Sequence, residues 1–287
     1  VPVETCPIAY ARVQAVPVTA ARWPGVDGVD VVSGTDPDDV VVVVHGPAEV
    51  ALQRAPRGVA LVAADQGRPG RRAPAAAPSP LRGRGWVRQT VRVGAWERDF
   101  RVAGTGFWQV HPGAASTFVE AVLDALAPRP GERVLDLYAG AGLFAAALAE
   151  RVGRSGEVVA VESDEKAVRD ARRNLHDLPH VRLVRGRVDA VLRGRVAPVG
   201  SIPDRCDLVV LDPPRTGARA PVVREVARRR PRAVAYVACD PAALARDVAL
   251  FAEQGYRLQR VRAFDAFPMT QHVECVAHLV ESISTSR

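Results

Sequence analysis

The chain has 287 residues, of which 48% are hydrophobic and 25% are charged. These fractions are ordinary for a folded globular protein, and they exclude a disordered, collagen-like or coiled-coil chain. The formal net charge of +7 rests almost entirely on arginine, so it is compatible with a polyanionic partner without establishing one. No apolar run reaches the roughly 20 residues that span a bilayer. We therefore expect a cytoplasmic protein without a membrane partner.

Residues 1–102 are predicted to form a small β-rich domain. Short β-branched runs at 41–46, 59–64 and 86–93, separated by glycine and proline, are typical of strands. The stretch 67–85 contains mainly Pro, Gly, Ala and Arg without periodicity, and this composition predicts a flexible loop. The chain starts at Val1 without methionine, and we interpret it as a fragment whose beginning is missing.

Residues 103–287 alternate between predicted helices and strands. The helices are expected at 112–127, 143–152, 165–175, 220–229 and 241–254. The strands are expected at 133–138, 157–162, 181–186, 207–212 and 233–238, followed by a hairpin of 256–267 and 272–280. This alternation indicates an α/β domain with a Rossmann-like, mostly parallel sheet covered by helices on both faces. A ligand site is then expected at the carboxyl ends of the strands.

The first chemical motif is the glycine-rich turn after strand 133–138. Gly140 and Gly142 let the backbone approach a ligand, and Glu162, at the end of the next strand, can accept hydrogen bonds from both hydroxyls of a ribose. This spacing suits NAD as well as S-adenosylmethionine, and an ordinary tight turn is a further alternative. The missing third glycine of a dinucleotide site and the acidic Asp136, which suits a positively charged ligand, favour S-adenosylmethionine.

The second motif is Asp212-Pro-Pro-Arg215, which follows strand 207–212. Two prolines after a carboxylate make a rigid ledge at the strand end, where substrate would be presented. Enzymes that methylate amino groups carry an aromatic residue in the fourth position of a similar motif. Arg215 in that position argues against such chemistry, and a plain strand-ending turn is the alternative.

The third motif places Cys239 just after strand 233–238 and just before a helix. A thiol near a helix N-terminus can have a lowered pKa and act as a nucleophile. Most free cysteines are instead small buried hydrophobic residues, and position alone leaves both interpretations open. Cys206 shows no evident role.

The fourth motif contains Glu274 and His272 near the end of the chain. A carboxylate inside the apolar run of 275–280 is unusual unless it is paired or catalytic, although an edge strand facing water is the alternative. We interpret His272 as structural, and we expect Cys275, which alternates with Glu274, to lie in the core.

Together these segments resemble the RNA uracil-5-methyltransferase family. The resemblance rests on FWQVHP (107–112), DLYAGAGLF (136–144), VVLDPPRTG (209–217), YVACDPAALARD (236–247) and FDAFPMTQHVECV (264–276), in the family's order. It covers roughly residues 96–280. It implies that the chain uses S-adenosylmethionine to methylate carbon 5 of a uridine in transfer or ribosomal RNA.

The resemblance also implies roles for individual residues. Cys239 matches the family's nucleophile, and Glu274 matches its general base. The positions that match contacts to the cofactor or to uracil are Gln109, Tyr138, Gly140, Glu162 and Asp212, with Asp189 as a loosely aligned addition.

Other expectations follow from the same resemblance. Cys6 looks like the last of four ligands of an iron–sulfur cluster found in some members, and alone it cannot hold a cluster. We therefore expect no metal in this chain, a cluster only in a longer protein, and a monomer that binds RNA. An RNA cytosine-5-methyltransferase and a non-catalytic RNA-binding domain remain the alternatives.

Overall fold

The computed structural model describes residues 6, 8–64, 79–196 and 202–282. The chain divides into two compact units, which are Val1–Thr90 with Arg98–Trp108, and Val91–Glu97 with Gln109–Arg287. Within the described ranges, no helix is both long enough and apolar enough to cross a membrane.

The first unit contains a four-stranded sheet in the order β1-β2-β3-β4. Its elements are α1 (Ala11–Gln14), β1 (Gly28–Ser33), β2 (Val40–His45), α2 (Ala48–Arg54), β3 (Ala60–Ala63) and β4 (Ser79–Arg82). The valine-rich strand β2 lies in the middle, and Val42 and Val44 pack with Leu61 of β3 in a buried cluster. The strands expected at 41–46 and 59–64 are thus present, whereas β1 and α2 were not predicted.

The predicted loop at 67–85 is in part a strand. Residues 65–78 lie outside the described residues, but Ser79–Arg82 forms β4, which pairs antiparallel with β3. Pro80 concealed this strand in the sequence, because proline lacks the N–H group that a central strand needs. β4 is an edge strand, where proline is tolerated, and Arg82 Nε donates a hydrogen bond to the carbonyl of Val59 at 2.8 Å.

A hairpin follows, in which β5 (Trp86–Val93) and β6 (Trp96–Ala103) form a two-stranded sheet. Its turn consists of two residues and contains Gly94 at φ +58°, a conformation that glycine adopts without strain. The strand β5 matches the prediction for 86–93, and β6 was not predicted.

The second unit is an α/β domain around a seven-stranded sheet in the order β12-β13-β11-β10-β7-β8-β9. Its strands are β7 (Arg133–Leu137), β8 (Glu157–Glu162), β9 (Val181–Arg185), β10 (Leu208–Leu211), β11 (Ala233–Ala238), β12 (Tyr256–Phe264) and β13 (Glu274–Glu281). Its helices are α3 (Ala114–Leu126), α4 (Leu143–Val152), α5 (Glu165–Asn174), α6 (Val188–Leu192), α7 (Arg219–Arg228) and α8 (Pro241–Glu253). Every element predicted here is present, and the short helix α6 is an addition.

The strand order creates one point where the direction of winding reverses. From β7 the chain proceeds outward through β8 and β9, and it then returns to place β10 on the other side of β7, all in parallel pairs. The carboxyl ends of β7 and β10 therefore border a crevice, which is the place where open α/β sheets bind ligands.

The two faces of this sheet carry different layers. On one face, α6, α7 and α8 pack against alternating strand residues, among them Leu137, Leu211 and Cys275. The other face carries α3, whose Phe118 contacts Phe264 of β12 with ring centroids 5.5 Å apart. We call the face of α3 the upper face and the face of α8 the lower face.

Buried Asp247 of α8 fixes the loop after β10. Its Oδ2 accepts hydrogen bonds from the Tyr236 hydroxyl at 2.6 Å and from the backbone N–H of Ala218 at 2.7 Å. Its Oδ1 accepts from Arg246 at 2.9 Å, and Arg246 donates in turn to the carbonyl of Thr216. A Cβ at Gly217 would lie 2.5 Å from Asp247 Oδ2, so only glycine allows this close approach. One carboxylate thereby joins the loop of 212–219 to the helix that follows Cys239.

Replacing this carboxylate is expected to destabilise the domain. Asp247→Ala would leave the buried Tyr236 hydroxyl without its acceptor and would leave the Ala218 amide only its longer bond to the Tyr236 oxygen. We expect a cost of about 3 kcal/mol in the free energy of unfolding. Urea denaturation checks this value against Glu253→Ala, an exposed position on the same helix that should change it by less than about 0.5 kcal/mol. Equal stability of both variants would contradict the role given to Asp247.

Candidate active site

Three of the sequence-predicted residues follow the ends of neighbouring strands. Tyr138 comes directly after β7, Glu162 ends β8, and Asp212 comes directly after β10. The backbone N–H groups of Tyr138 and Asp212 continue the ladder, donating to the carbonyls of Val161 and Leu137 at 3.0 and 3.2 Å. The sheet therefore brings these three positions to one edge, beside the crevice.

The glycine-rich turn is held by Glu162. Its carboxylate accepts hydrogen bonds from the backbone N–H of Gly140 at 2.8 Å, of Ser163 at 2.6 Å and of Asp164 at 2.7 Å. Gly140 has φ +55°, and a Cβ there would meet no atom within 4 Å. The turn thus leaves open space above its backbone, next to a carboxylate that faces it.

Asn174 supports the same turn from below. Its side-chain amide, buried in α5, donates to the carbonyl of Ala141 at 2.9 Å. This role could not be predicted from the sequence, because an asparagine at the end of an amphipathic helix is ordinarily interpreted as a polar terminus.

Two carboxyl groups beside the crevice have raised pKa values. Asp136 is fully buried, and among the described residues neither of its oxygens has a hydrogen-bond partner; the amide of Ala145 approaches it outside hydrogen-bonding geometry. Burial raises the pKa of Asp136 to about 7. Asp212 is partly accessible as a residue, but its carboxyl is enclosed, and burial with the nearby charges of Glu274 and Asp136 raises its pKa to about 8.

Tyr138 and Asp189 lie near each other. Burial raises the pKa of Tyr138 to about 12, and the negative charge of Asp189, in the first turn of α6, adds to the effect. Arg187 donates to Asp189 at 3.1 Å and lowers the pKa of that carboxyl. Tyr138 has φ +66°, which turns the chain out of the strand at this residue. The loosely predicted Asp189 is therefore a neighbour of Tyr138.

Cys239 and Glu274 meet where two antiparallel strands adjoin. The last pair of the β11–β13 ladder joins Ala238 to Cys275, and Cys239 and Glu274 are the residues that adjoin this pair along the chain. Cys275 belongs to the lower-face core, and side chains alternate along a strand, so Glu274 projects to the upper face. The charge of Glu274 acts on the Cys239 thiol, so the two groups lie near each other. Glu274 is buried, since only 6% of it is exposed, and an edge position facing water is excluded.

Burial is the main influence on both of these groups. It raises the pKa of Glu274, which the positive charge of Arg215 partly counteracts. It also raises the pKa of the half-buried Cys239 thiol, and the charges of Glu274 and Asp212 raise it further. Burial and the two carboxylates therefore outweigh the positive charge of Arg215, and the start of α8 does not lower the pKa of this thiol.

Arg215 reaches this group from the loop after Asp212. Its guanidinium lies 3.3 Å from Nε2 of His272, whose ring packs edge-on against Phe267 at 5.9 Å between centroids. His272 therefore has a structural contact, as expected. The sequence left Arg215 without a role of its own, and in the structure its positive charge acts on both Cys239 and Glu274.

Among the described residues, no hydrogen bond joins the remaining predicted residues to this group. Gln109 is half-buried in the segment that precedes α3, and no other described residue bonds to its side chain. Cys206 and Cys275 are buried in the core. Cys6 is a partly exposed free cysteine, and within the described ranges no three His, Cys, Asp or Glu side chains are grouped as metal ligands.

Comparison with known protein families gives the family that the sequence resembles. The model of the tRNA (Uracil-5-)-methyltransferase family matches residues 81–282, more than half of the chain. Two curated relatives, each an uncharacterised RNA methyltransferase, come from Streptomyces avermitilis and Streptomyces coelicolor. Each is 42% identical over 97% of this chain, which spans 61% and 57% of their respective lengths.

A solved structure has the same fold. The tRNA (uracil-54, C5)-methyltransferase of Pyrococcus abyssi, crystallised with S-adenosyl-L-homocysteine, aligns with a TM-score of 0.72 at 24% identity, covering 98% of this chain and 70% of that one. The likeness confirms the expected α/β methyltransferase fold. The family follows from the family model, which matches most of the chain: this chain belongs to the tRNA (uracil-5-)-methyltransferase family.

Proposed function

We propose that this protein transfers a methyl group from S-adenosylmethionine to carbon 5 of a uridine in RNA, through a covalent bond between Cys239 and the base. The observation that supports the proposal is that Cys239 directly follows β11 and Glu274 begins the adjoining strand β13, near enough for the charge of this buried carboxylate to act on the thiol. A nucleophile and a base in adjacent positions are what substitution at carbon 5 of a pyrimidine requires.

The crevice fits the proposed cofactor. Asp136 is a buried carboxyl without a hydrogen-bond partner in the described part of the chain, and Asp212 lies close to it. A ligand with a positive sulfur and a positive amino group would compensate these carboxylates. Glu162 would accept hydrogen bonds from the ribose hydroxyls beside the open turn at Gly140. Tyr138 and Asp189 would line the adenine side.

The residues of the chain then divide the chemistry between them. S-adenosylmethionine, when bound, supplies an electrophilic methyl group to carbon 5. Cys239 loses its thiol proton to solvent and adds as the thiolate to carbon 6 of uracil. The electron pair of the 5,6 double bond moves toward the base carbonyl, which makes carbon 5 nucleophilic. Gln109 and Asp212 hold the polar edge of uracil. Glu274 removes the proton from carbon 5 after methylation, and the returning electron pair expels the thiolate from carbon 6.

The thiol is expected to be indispensable. Cys239→Ala should lower methyl transfer at least about a thousandfold, because no other group adds to carbon 6, while adenosylmethionine binding should remain. The assay uses total RNA from cells that lack this modification and maps the 5-methyluridine formed. Cys206→Ala, a buried cysteine away from the crevice, is the matched control and should retain activity. Full activity of Cys239→Ala would disprove the covalent route.

The carboxylate should act after the covalent bond has formed. Glu274→Gln cannot accept the carbon-5 proton, so turnover should fall by about 10²- to 10⁴-fold and RNA should accumulate covalently on Cys239. Denaturing gels with labelled RNA detect this adduct. Glu281→Gln, an exposed position on the same strand, should show neither effect. Loss of turnover without any adduct would assign the proton transfer to another residue.

Adenosylmethionine binding should strengthen as the pH rises toward 8. Burial raises the pKa of Asp136 to about 7 and of Asp212 to about 8, so the ligand-free protein holds protons that a cationic ligand must displace. The dissociation constant should fall by up to about tenfold per pH unit between pH 6 and 8 for each proton released. Calorimetry in buffers of different ionisation enthalpy measures the proton release. Asp212→Asn should flatten the dependence, and an unchanged profile in that variant would contradict the assignment.

A further inference from the structure

The edge strand β12 carries arginines on the same face as Glu274. The β12–β13 ladder pairs Phe264 with Glu274, Arg262 with Val276, Arg260 with His278 and Arg257 with Val280. Directly paired residues share a face of the sheet, and the β13 partners are every second residue starting at Glu274. All three arginines therefore project to the upper face.

A bulge produces this alignment. The arginines are separated by three and by two residues along the chain, and strict alternation would place Arg257 on the face opposite to Arg260 and Arg262. The register shifts by one residue between Leu258 and Arg260, which leaves Gln259 as the extra residue. Bulges of this kind redirect the side chains that precede them.

Two of the three arginines carry uncompensated charge. Arg262 forms an ion pair with Asp124 at 3.3 Å and stacks over the Phe264 ring. Arg257 and Arg260 are exposed, and no carboxylate in the described part of the chain lies within 4.0 Å of either. Arg257 contacts only the neutral amide of Gln259.

The positive charges of Arg257 and Arg260 act on His278, which is the register partner of Arg260. Burial lowers the pKa of His278, and the positive charges of Arg232, Arg257 and Arg260 lower it further. Arg232 is engaged by Glu132 at 2.7 Å, so the free positive field at this place comes from β12.

We propose that Arg257, Arg260 and Arg262 form a binding surface for the phosphodiester backbone of the RNA whose uridine enters the crevice, which we call the β12 arginine track. The proposal rests on the proposed function. The track begins next to Phe264, the register partner of Glu274, and extends about 15 Å along the strand to Arg257 at roughly 3.3 Å per residue. This length matches about four base pairs of duplex at 3.4 Å each.

The test is the salt dependence of RNA binding by the double variant Arg257→Gln/Arg260→Gln. Binding of total tRNA and of total rRNA from cells lacking the modification is followed by fluorescence anisotropy between 50 and 200 mM salt, without turnover. Each lost phosphate contact lowers the slope of log K against log salt by about 0.7 for single strands and 0.9 for duplex. The slope should fall by about 1.4 to 1.8, while the dissociation constant for adenosylmethionine stays unchanged.

The control removes the same charge from elsewhere on the second unit. Arg169→Gln/Arg172→Gln alters two exposed arginines of α5, beside β9 at the opposite edge of the sheet. This control should keep the wild-type slope. Equal losses in both double variants would reduce the effect to net charge and overturn the proposal.

Two further outcomes are decisive. An unchanged slope together with new self-association of Arg257→Gln/Arg260→Gln would overturn the proposal and leave β12 as a charged edge that resists strand pairing. In the second outcome, the wild-type protein methylates no RNA while the slope of log K against log salt falls only in the β12 variant. In that case the proposed function fails and the β12 arginine track stands.

Discussion

The hydrogen-bonded register of the seven-stranded sheet is the constraint on which the rest of the site depends. Parallel pairing brings the ends of β7, β8, β10 and β11 to one edge. Strand β13 runs antiparallel to β11, so its first residue, Glu274, arrives at the edge where the parallel strands end. A parallel last strand would have placed its end, not its start, beside Cys239. The antiparallel insertion therefore makes the thiol–carboxylate pair possible.

The same register concentrates carboxyl groups that repel one another. Asp136 and Glu274 lie close enough to Asp212 for their charges to raise its pKa, and burial penalises the charged forms of all three. Such an arrangement opposes folding unless the groups hold protons or face positive charge. Arg215 supplies one positive charge, and it is held by a loop that Asp247 anchors from α8. The buried network below the sheet thus serves the charge balance above it.

The sequence was sufficient for the elements of the second unit but not for several of its tertiary contacts. Hydrophobic periodicity located every helix and strand except α6, because these segments are long and regular. The burial of Glu274 was not decidable, since its strand reads equally well as an edge or as an interior strand. Asp247 reads as an ordinary polar residue on a helix, because its partners Tyr236 and Ala218 are distant in the chain. In the first unit, Pro80 concealed β4, because proline lacks the N–H group that a central strand needs. The position of β4 at the edge of the sheet removes this need.

The bulge in β12 shows how one local irregularity satisfies two separate requirements. Tyr256 must reach the lower face, where its ring packs against Phe251 and its hydroxyl donates to the carbonyl of Pro231 at 2.8 Å. If the pairing were regular from Phe264 back to Tyr256, Tyr256 would project to the upper face and Arg257 to the lower face. The shift at Gln259 reverses both positions at once. Core packing of an aromatic residue therefore suffices to fix the bulge, and the exposed arginine on the face of Glu274 follows from the same geometry.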